Sequence, residues 1–275
     1  MDAIISRSNE KVKYIKNLNE KKFRQKHNCF YIEGIKVVQE LLESYKAIDI
    51  LFIAYSKELL MSANGGSECL EKVNKFCKKT NMQLIELDKK LFEYVTDTVS
   101  PQGILVVVRT SICDIDSLLE ENKDENILVL DKIQDAGNIG TIIRNADAFG
   151  LRLIFCTNGT TDIYSPKVVR STMGSIFRVN IVYIDDDDLD LIMYKIKENG
   201  QKIAITQIKD ALSVEDVDYS KRYAFILGNE ANGVSQRLAK LSDIHIKIPM
   251  SSTVQSLNVS IAGGILLYKQ YISRK

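Results

Sequence analysis

Polar and small side chains follow hydrophobic segments at four places in the chain. One segment is Asn-Ile-Gly-Thr-Ile-Ile-Arg-Asn at 138–145, and the others lie at 227–230, 248–250 and 256–260. In open α/β proteins, ligands bind where the chain leaves the buried strands. The four segments supply amides, hydroxyls, glycines, one glutamate and one arginine. These side chains are better suited to orienting a polar ligand than to forming a strong nucleophile.

Arg144 and Glu230 are the charged members of this set. Asn138 is a favourable N-cap residue, so a helix starting there would carry Arg144 in its second turn. An ion pair with Asp147 is the alternative to a functional role for Arg144. Glu230 could orient a substrate or cap the helix that follows it. Spacing alone leaves these alternatives open.

Several common catalytic signatures are missing from the sequence. There is no Gly-x-Gly-x-x-Gly after the first strand and no P-loop, which disfavours the corresponding dinucleotide and nucleotidase folds. With two distant histidines, His27 and His245, and no nucleophile elbow, a hydrolytic triad has little support. The five cysteines are scattered without a Cys-x-x-Cys pair, so we expect reduced thiols and no metal site.

Alternating strands and helices must position the four polar segments. From residue 127 onward we predict strands at 127–130, 151–156, 176–184, 202–206, 223–227 and 244–248. Helices are predicted at 139–149, 166–173, 188–199 and 235–241, with a last one after Ser256. Such alternation predicts an α/β domain with a largely parallel sheet covered by helices.

The final helix carries an apolar stripe that includes Ile261, Ile265 and Tyr268. Gly263-Gly264 in its middle lowers helix propensity, which indicates close packing at that point. The contact could lie in the core of one subunit or at a subunit interface.

Residues 1–110 form a smaller α/β domain in this interpretation. Its predicted helices cover 9–26, 34–44, 66–79 and 88–95, and its predicted strands cover 29–32, 48–54, 82–86 and 103–108. The polar and acidic stretch 111–126 is interpreted as a linker, and 127–275 as the second domain.

Bulk composition is that of an ordinary globular protein, with 45% hydrophobic and 27% charged residues. No apolar run reaches the roughly 18 residues of a membrane span, and the N-terminus lacks the apolar core of a signal peptide. We therefore expect a cytoplasmic protein that does not bind membranes.

The net charge of +1 hides a basic segment at 11–26. That segment is typical of a nucleic-acid contact, and a solvated helix face is the alternative.

Together the polar segments resemble a known family. Asn138-Ile139-Gly140 with Arg144, Leu227-Gly228-Asn229-Glu230, Ile248-Pro249-Met250 and Ser256-Leu257-Asn258-Val259-Ser260 resemble the motifs of the SpoU (TrmH-type) RNA ribose methyltransferases, which belong to the SPOUT class. The motifs keep the family's order across the whole second domain. The first domain resembles, more loosely, the family's substrate-binding domain of the ribosomal-protein L30e-like type. That second resemblance is carried by Ser8-Asn9, Phe30-Tyr31-Ile32-Glu33-Gly34 and Ser100-Pro101-Gln102-Gly103.

The resemblance implies transfer of a methyl group from S-adenosylmethionine (AdoMet) to the 2′-hydroxyl of an RNA ribose. It also implies a deep trefoil knot in the C-terminal SPOUT domain and a homodimer through that domain. The expected substrate is 23S ribosomal RNA, and the alternatives are transfer RNA or a non-catalytic RNA-binding factor of the same fold. An enzyme acting on a small molecule is a further alternative, in which the basic segment would be incidental.

Position in the motifs also implies residue roles. Catalytic roles are implied for Asn138, Arg144, Glu230, Ser256 and Asn258. The residues expected to bind AdoMet are Leu227, Gly228, Asn229, Ile248, Met250, Ser256, Leu257 and Asn258. Phosphate contacts are expected from Lys11, Lys13, Lys21, Lys22 and Arg24.

The chain departs from the family at two positions. Ser252 stands where glycine is frequent, and Gln255 stands where glutamate is common. Ser252 bears on the turn geometry more than on activity.

Overall fold

The computed structural model describes residues 3–43, 48–110, 114–207, 210–251 and 253–274. These residues divide into two compact units. One unit takes the described residues of Met1–Ile112 together with Asp162–Phe177, and the other takes the described residues of Cys113–Thr161 and Arg178–Lys275. The segment Asp162–Phe177 therefore groups with the first unit, which differs from the division predicted from the sequence.

The first unit is built on a four-stranded sheet in the order β1-β4-β2-β3. The strands are β1 (Cys29–Glu33), β2 (Ile50–Tyr55), β3 (Leu84–Glu86) and β4 (Ile104–Arg109). Strand β4 runs antiparallel to β1 and β2, whereas β2 and β3 are parallel. The helices, numbered along the whole chain, are α1 (Glu10–Asn17), α2 (Lys21–His27), α3 (Ile35–Glu43), α4 (Lys57–Ser62), α5 (Gly66–Thr80), α6 (Lys89–Val95) and α9 (Pro166–Thr172).

The single helix predicted for 9–26 is two helices, α1 and α2. Between them Leu18 is fully buried. Asn19 fixes the turn, because its Nδ2 donates to the Val95 carbonyl at 2.9 Å and its Oδ1 accepts from the Tyr31 hydroxyl at 2.8 Å. The basic segment is thus bent around a core residue rather than being one continuous rod.

The second unit contains a seven-stranded sheet in the order β7-β6-β5-β10-β8-β11-β9. Its strands are β5 (Ile127–Asp131), β6 (Leu153–Thr157), β7 (Asn180–Ile184), β8 (Lys202–Thr206), β9 (Leu212–Ser213), β10 (Tyr223–Gly228) and β11 (Ile244–Lys247). Every pair of neighbours in this order is parallel. The helices are α7 (Ile115–Glu121), α8 (Ala136–Ala148), α10 (Leu189–Glu198), α11 (Gln236–Leu241) and α12 (Val259–Ser273). The predicted parallel sheet is confirmed, and the trefoil knot stays a prediction.

Two predicted elements of this half of the chain require correction. The strand predicted for 176–184 begins only at Asn180, because Ser175–Phe177 forms a turn of 3₁₀ helix. The stretch interpreted as a linker carries α7, and its Leu118 and Leu119 belong to the core of the second unit. The polar composition of that stretch concealed one buried apolar pair.

Helix α8 begins earlier than predicted, which changes the role of Asn138. The N-cap is Asp135, whose Oδ1 accepts from the backbone N–H of Asn138 at 2.8 Å. Asn138 is therefore not the cap but a residue of the first turn, and its side chain is available for other contacts.

Strand β10 lies between β5 and β8, so the chain order of the sheet reverses there. Because all seven strands are parallel, the carboxyl ends of β5, β8, β10 and β11 meet at one edge of the sheet. A ligand site is expected at such an edge, near the point of reversal. Among the described residues, no helix is both long and apolar enough to cross a membrane.

Candidate functional site

A pocket of about 480 Å³ lies at the carboxyl ends of β8, β10 and β11. Three of the four polar segments contribute to it, from 228–231, 248–250 and 255–259. The predicted site residues that line it are Gly228, Asn229, Glu230, Ile248, Met250, Ser256, Leu257 and Asn258. The fold thus brings together residues that are distant along the sequence.

The pocket wall combines apolar side chains with a few polar groups. Ile246, Ile248, Met250 and Leu257 supply the apolar part. The polar part comes from Thr206, Gln207, Asn229, Glu230, Gln255, Ser256 and Asn258. Such a wall can enclose a flat heterocycle while amides and backbone groups contact its polar edge, and the volume is typical of small-molecule sites, roughly 300–1,000 Å³. The residues present therefore fit a cofactor that carries a nucleoside.

At Gly228 the chain passes very close to the loop that follows β10. A Cβ atom at Gly228 would lie 2.2 Å from Gly233 C and from Val234 N. The loop between them is closed by two backbone hydrogen bonds of 2.9 Å, in which Asn229 and Gly233 each donate to the other. Only glycine fits at the end of β10 without moving this loop.

The side chain of Asn229 is used inside the same loop. Its Oδ1 accepts from the backbone N–H groups of Ala231 and Asn232 at 3.0 and 3.1 Å, and its Nδ2 donates to the Lys132 carbonyl at 2.8 Å. Asn229 therefore shapes the pocket wall and ties it to the end of β5.

Asp131, at the end of β5, is a structural residue of the site that was not predicted from the sequence. This carboxylate is 1% exposed. Its Oδ2 accepts from the backbone N–H of Ser235 at 2.7 Å, and its Oδ1 accepts from the Thr157 hydroxyl at 3.1 Å. Asp131 thereby anchors the far end of the loop that begins at Gly228. An acid at the carboxyl end of an otherwise apolar strand was the signal that could have identified it.

Glu230, Asn138 and Asn258 form a chain of side-chain hydrogen bonds at the pocket. Asn258 Nδ2 donates to Asn138 Oδ1 at 2.9 Å, and Asn138 Nδ2 donates to Glu230 Oε1 at 3.1 Å. Asn258 also caps α12, since its Oδ1 accepts from the Ser260 backbone N–H at 2.9 Å. Three predicted site residues from three segments are therefore in contact.

Glu230 is held as a carboxylate. Partial burial alone would raise its pKa, but donors from Asn138 and from the backbone N–H groups of Asp135 and Gln134 outweigh burial and lower the pKa of Glu230. The alternative in which Glu230 caps the next helix is not observed, because the N-cap of α11 is Ser235. An ionised Glu230 suits orientation of donors better than removal of a proton.

Arg144 lies on α8 and does not line the pocket. Its side chain is exposed, and within the described part of the chain it has no hydrogen bond or ion pair. The alternative pairing with Asp147 does not occur, because Asp147 pairs with Arg152 and with Arg178. Arg144 is therefore a cation without a structural partner in the described chain.

Three residues named in the sequence analysis remain to be placed, namely Leu227, Gln255 and Ser252. The Leu227 side chain is fully buried and does not line the pocket. It packs directly against Gly263 of α12, where an added Cβ atom would lie 2.7 Å from Leu227 Cδ1. Gly263 therefore allows close packing within one chain. Gln255 lines the pocket, whereas Ser252 lies outside the described residues.

The predicted phosphate contacts divide into three groups. Lys13, Lys21 and Lys22 are exposed, while Lys11 is half-buried with its Nζ 4.4 Å from the centroid of the Phe52 ring. Arg24 must be removed from the set, because it is only 5% exposed. Its guanidinium binds the Asp162 carboxylate and the Leu18 carbonyl, so it supports the fold instead of meeting solvent.

Metal ligation finds no support in the described residues, which hold no cluster of three or more His, Cys, Asp or Glu side chains placed for an ion. The four cysteines among them are free and buried. Burial raises the pKa of the Cys156 thiol to about 12, so this group is unreactive.

Comparison with known proteins covers both halves of the chain. Residues 125–268 match the SpoU rRNA Methylase family, and residues 9–106 match the MRM3-like substrate binding domain. The chain is 31% identical over 270 residues to the 23S rRNA (guanosine(2553)-2′-O)-methyltransferase RlmP of Bacillus subtilis, with 98% of each chain covered.

Solved structures give the same result. An rRNA methyltransferase from Sinorhizobium meliloti superposes with a TM-score of 0.84 at 27% identity, over 99% of this chain and 98% of that one. The AdoMet-bound form of an rRNA methyltransferase from the same organism gives a TM-score of 0.83 with the same identity and coverage. The similarity therefore extends over both units and not only over the pocket.

Proposed function

This chain belongs to the SpoU rRNA methylase family, and on that premise we propose that it methylates a ribose 2′-hydroxyl of 23S ribosomal RNA with AdoMet as methyl donor. The observation that carries the proposal is the pocket at the carboxyl ends of β8, β10 and β11, which adjoins the Glu230–Asn138–Asn258 chain. A small-molecule site and a set of oriented polar groups are thus side by side.

AdoMet would be held by the apolar side chains of Ile248, Met250 and Leu257 and by the backbone around Gly228. When bound, AdoMet supplies an electrophilic methyl group on a sulfonium. Asn229 and Asp131 contribute indirectly, because they hold the loop that forms one wall.

The chain's polar residues would orient the acceptor ribose. The amide groups of Asn138 and Asn258 have fixed orientations because each is hydrogen-bonded to a neighbour, and the Glu230 carboxylate completes the set. Ser256 lines the same pocket and offers a hydroxyl. Pre-organised groups of this kind remove the entropic cost of orientation from the chemical step. A required 2′-hydroxyl also selects RNA over DNA.

Arg144 would stabilise the negative charge that develops on the 2′-oxygen as the hydroxyl proton passes to solvent water. A guanidinium has a pKa above about 12 and keeps its protons, so it acts as a donor rather than as a base. The exposure of Arg144 and its lack of a partner in the described chain support this role, since no structural pair must be broken first.

The protein would act as a homodimer through the second unit. The apolar stripe of α12 faces solvent in the single chain, where Ile261, Tyr268 and Ile272 are 53%, 49% and 40% exposed. Association would remove this surface from water. Helix α12 packs on α8, the helix that carries Arg144, so the association would take place beside that helix.

The first 110 residues would bind the RNA substrate, and residues 127–275 would form the methyltransferase domain, in a cytoplasmic protein. Exposed Lys13, Lys21 and Lys22 support phosphate contacts, which contribute affinity rather than sequence choice. The match of residues 9–106 to a substrate binding domain supports the same division.

The test is methyl transfer from radiolabelled AdoMet to total RNA from cells that lack the gene. We expect label in 23S ribosomal RNA at one site that resists alkaline cleavage, and the first position to examine is the equivalent of the guanosine methylated by RlmP. Arg144→Ala should lower the rate of labelling about a hundredfold or more. Arg152→Ala, which removes a nearby arginine with a structural partner, should leave that rate near the wild-type value. Label in transfer RNA alone, or in no RNA and no ribosomal subunit despite AdoMet binding, would contradict the proposal.

A further inference from the structure

Two rings lie one over the other on the surface of the first unit. Phe23 and His27 are one turn apart on α2, with ring centroids separated by 4.2 Å and planes inclined by 32°. Tyr14 of α1 packs edge-on against both rings, at 5.4 and 5.6 Å. All three side chains are half-buried, so the ring pair is rigidly backed but reaches solvent.

The imidazole of His27 has polar atoms that the described structure does not use. Its ring contacts are with Tyr14 and Phe23, and within the described residues its nitrogens make no hydrogen bond. The other histidine differs, because His245 Nε2 is bonded to the Ser242 hydroxyl at 2.9 Å. A half-exposed heterocycle with unused nitrogens is able both to stack and to hydrogen-bond.

Cations without acidic partners surround this pair. Lys22 and Lys26 lie one helical turn apart, directly beside the Phe23–His27 stripe, and both are exposed. Within the described chain neither forms an ion pair, and the same holds for Lys13 and Lys21.

Two lysines elsewhere on the first unit are paired with acids. Lys72 binds Glu68 at 2.8 Å, and Lys89 binds Glu58 at 2.9 Å. Positive charge beside α2 is therefore uncompensated locally, which favours an anionic ligand at this place.

We propose that the Phe23–His27 pair is a stacking platform for an unpaired base of the RNA substrate, with Lys22 and Lys26 holding the phosphates beside that base. The inference rests on the proposed function and assigns it a binding site. Aromatic rings stack on splayed bases in single-stranded loops and bulges, whereas paired bases in a helix offer no free face. The platform would make the first unit prefer RNA with unpaired nucleotides.

Two probes separate stacking from charge. One is a fluorescein-labelled RNA hairpin with an unpaired loop, and the other is a blunt RNA duplex with the same number of phosphates. His27→Ala should weaken binding of the hairpin by about fivefold to a hundredfold in fluorescence anisotropy, with little effect on the duplex. Phe23→Leu, which keeps the apolar packing under the ring, should have the same effect. Tyr194→Leu, which removes an exposed ring from the second unit, is the matched control and should leave both affinities unchanged.

Salt dependence gives a second readout. Lys22→Ala should weaken both probes and reduce the slope of log affinity against log salt by about one, and His27→Ala should leave that slope unchanged. Equal loss on hairpin and duplex, or wild-type affinity of His27→Ala for the hairpin, would overturn the platform. Thermal unfolding of each variant shows that the comparison is made between folded proteins.

Methyl transfer by the wild-type protein distinguishes failure of the platform from failure of the proposed function. If 23S ribosomal RNA is methylated by wild type and equally by His27→Ala at limiting RNA, the platform is wrong and the function stands. If the wild-type protein methylates no RNA, the proposed function fails, whatever the probes report.

Discussion

Asn138 Oδ1 accepts a hydrogen bond of 2.9 Å from Asn258 Nδ2, and this bond joins the first turn of α8 to the N-cap of α12. The Nδ2 atom of the same Asn138 amide donates to Glu230 Oε1. One side chain therefore fixes the orientation of two others, while it does not itself line the pocket. Under the proposed function, Asn138 would position Glu230 and Asn258 without itself contacting AdoMet.

Replacing Asn138 with alanine should lower turnover by about tenfold to a hundredfold, because Glu230 and Asn258 lose the partner that aligns them. AdoMet affinity should change little. Single-turnover methyl transfer and isothermal titration with AdoMet measure the two quantities. Equal losses of turnover and of AdoMet affinity would contradict a positioning role.

Asn145→Ala is the matched control for that variant. Asn145 lies on the same helix and also reaches α12, through a 3.2 Å bond from its Nδ2 to the Ser260 carbonyl. Losing this bond should cost about 0.5–1.5 kcal/mol of unfolding free energy, as in Asn138→Ala, but turnover should stay near that of the wild type.

Arg144→Ala should slow methyl transfer strongly without affecting the fold. The side chain is exposed and unpaired in the described chain, so the free energy of unfolding should change by no more than about 0.5 kcal/mol. Loss of one donor to a developing oxyanion costs roughly a hundredfold to a thousandfold in rate. The methyl-transfer rate is measured with saturating AdoMet and RNA, and the free energy of unfolding is measured in urea. A stable variant with unchanged rate would exclude Arg144 from the reaction.

The pocket could be predicted from the sequence because its residues directly follow apolar strands. Gly228, Glu230, Ile248 and Asn258 all lie where parallel strands end or where the last helix begins, and parallel strands share one carboxyl edge. Local pattern and topology therefore point to the same place.

Other features could not be predicted, because they depend on contacts between residues that are far apart along the chain. Arg24 is one of seven cations between 11 and 26, and only its contact with Asp162, 138 residues away, makes it a buried residue. The turn at Asn19 depends on Val95 and Tyr31 in the same way. Helix α7 was hidden because two buried leucines are too few to show a helical period.

Gly228→Ala should disrupt the pocket, whereas Gly233→Ala should be tolerated better. Gly228 has no room, since an added Cβ would lie 2.2 Å from the backbone of Gly233. Gly233 has open space but a φ of +68°, so alanine there costs about 1 kcal/mol of backbone strain and little else. Titration with AdoMet should show at least tenfold weaker binding, or roughly 1.4 kcal/mol, for Gly228→Ala and near-normal binding for Gly233→Ala. The opposite order would mean that the loop between them adapts freely.

Stability should depend on pH through Glu230. Its folded pKa lies below the unfolded value of about 4.3, so its contribution is fully present above that value. The contribution is then lost as pH falls through the folded pKa. Urea unfolding between neutral pH and pH 3 should therefore show a decline that is shallower in Glu230→Gln than in the wild type. Identical pH profiles for the two proteins would show that the carboxylate gains nothing from its donors.

Arg24→Ala should destabilise the first unit strongly, although Arg24 lies among exposed lysines. The Asp162 side chain is only 13% exposed, and removing the arginine would leave its carboxylate buried without a cation. Breaking a buried pair in this way costs about 3–5 kcal/mol. Arg24→Lys should recover only part of that loss, because one ammonium cannot reproduce the separate contacts of the guanidinium with Asp162 and the Leu18 carbonyl.

Lys22→Ala, two residues earlier on the same helix, is the control. It should leave the unfolding free energy unchanged within about 0.5 kcal/mol and weaken RNA binding instead. If Arg24→Ala unfolded like the wild type and lost only RNA affinity, the ion pair with Asp162 would not form in solution, and Arg24 would return to the set of phosphate contacts.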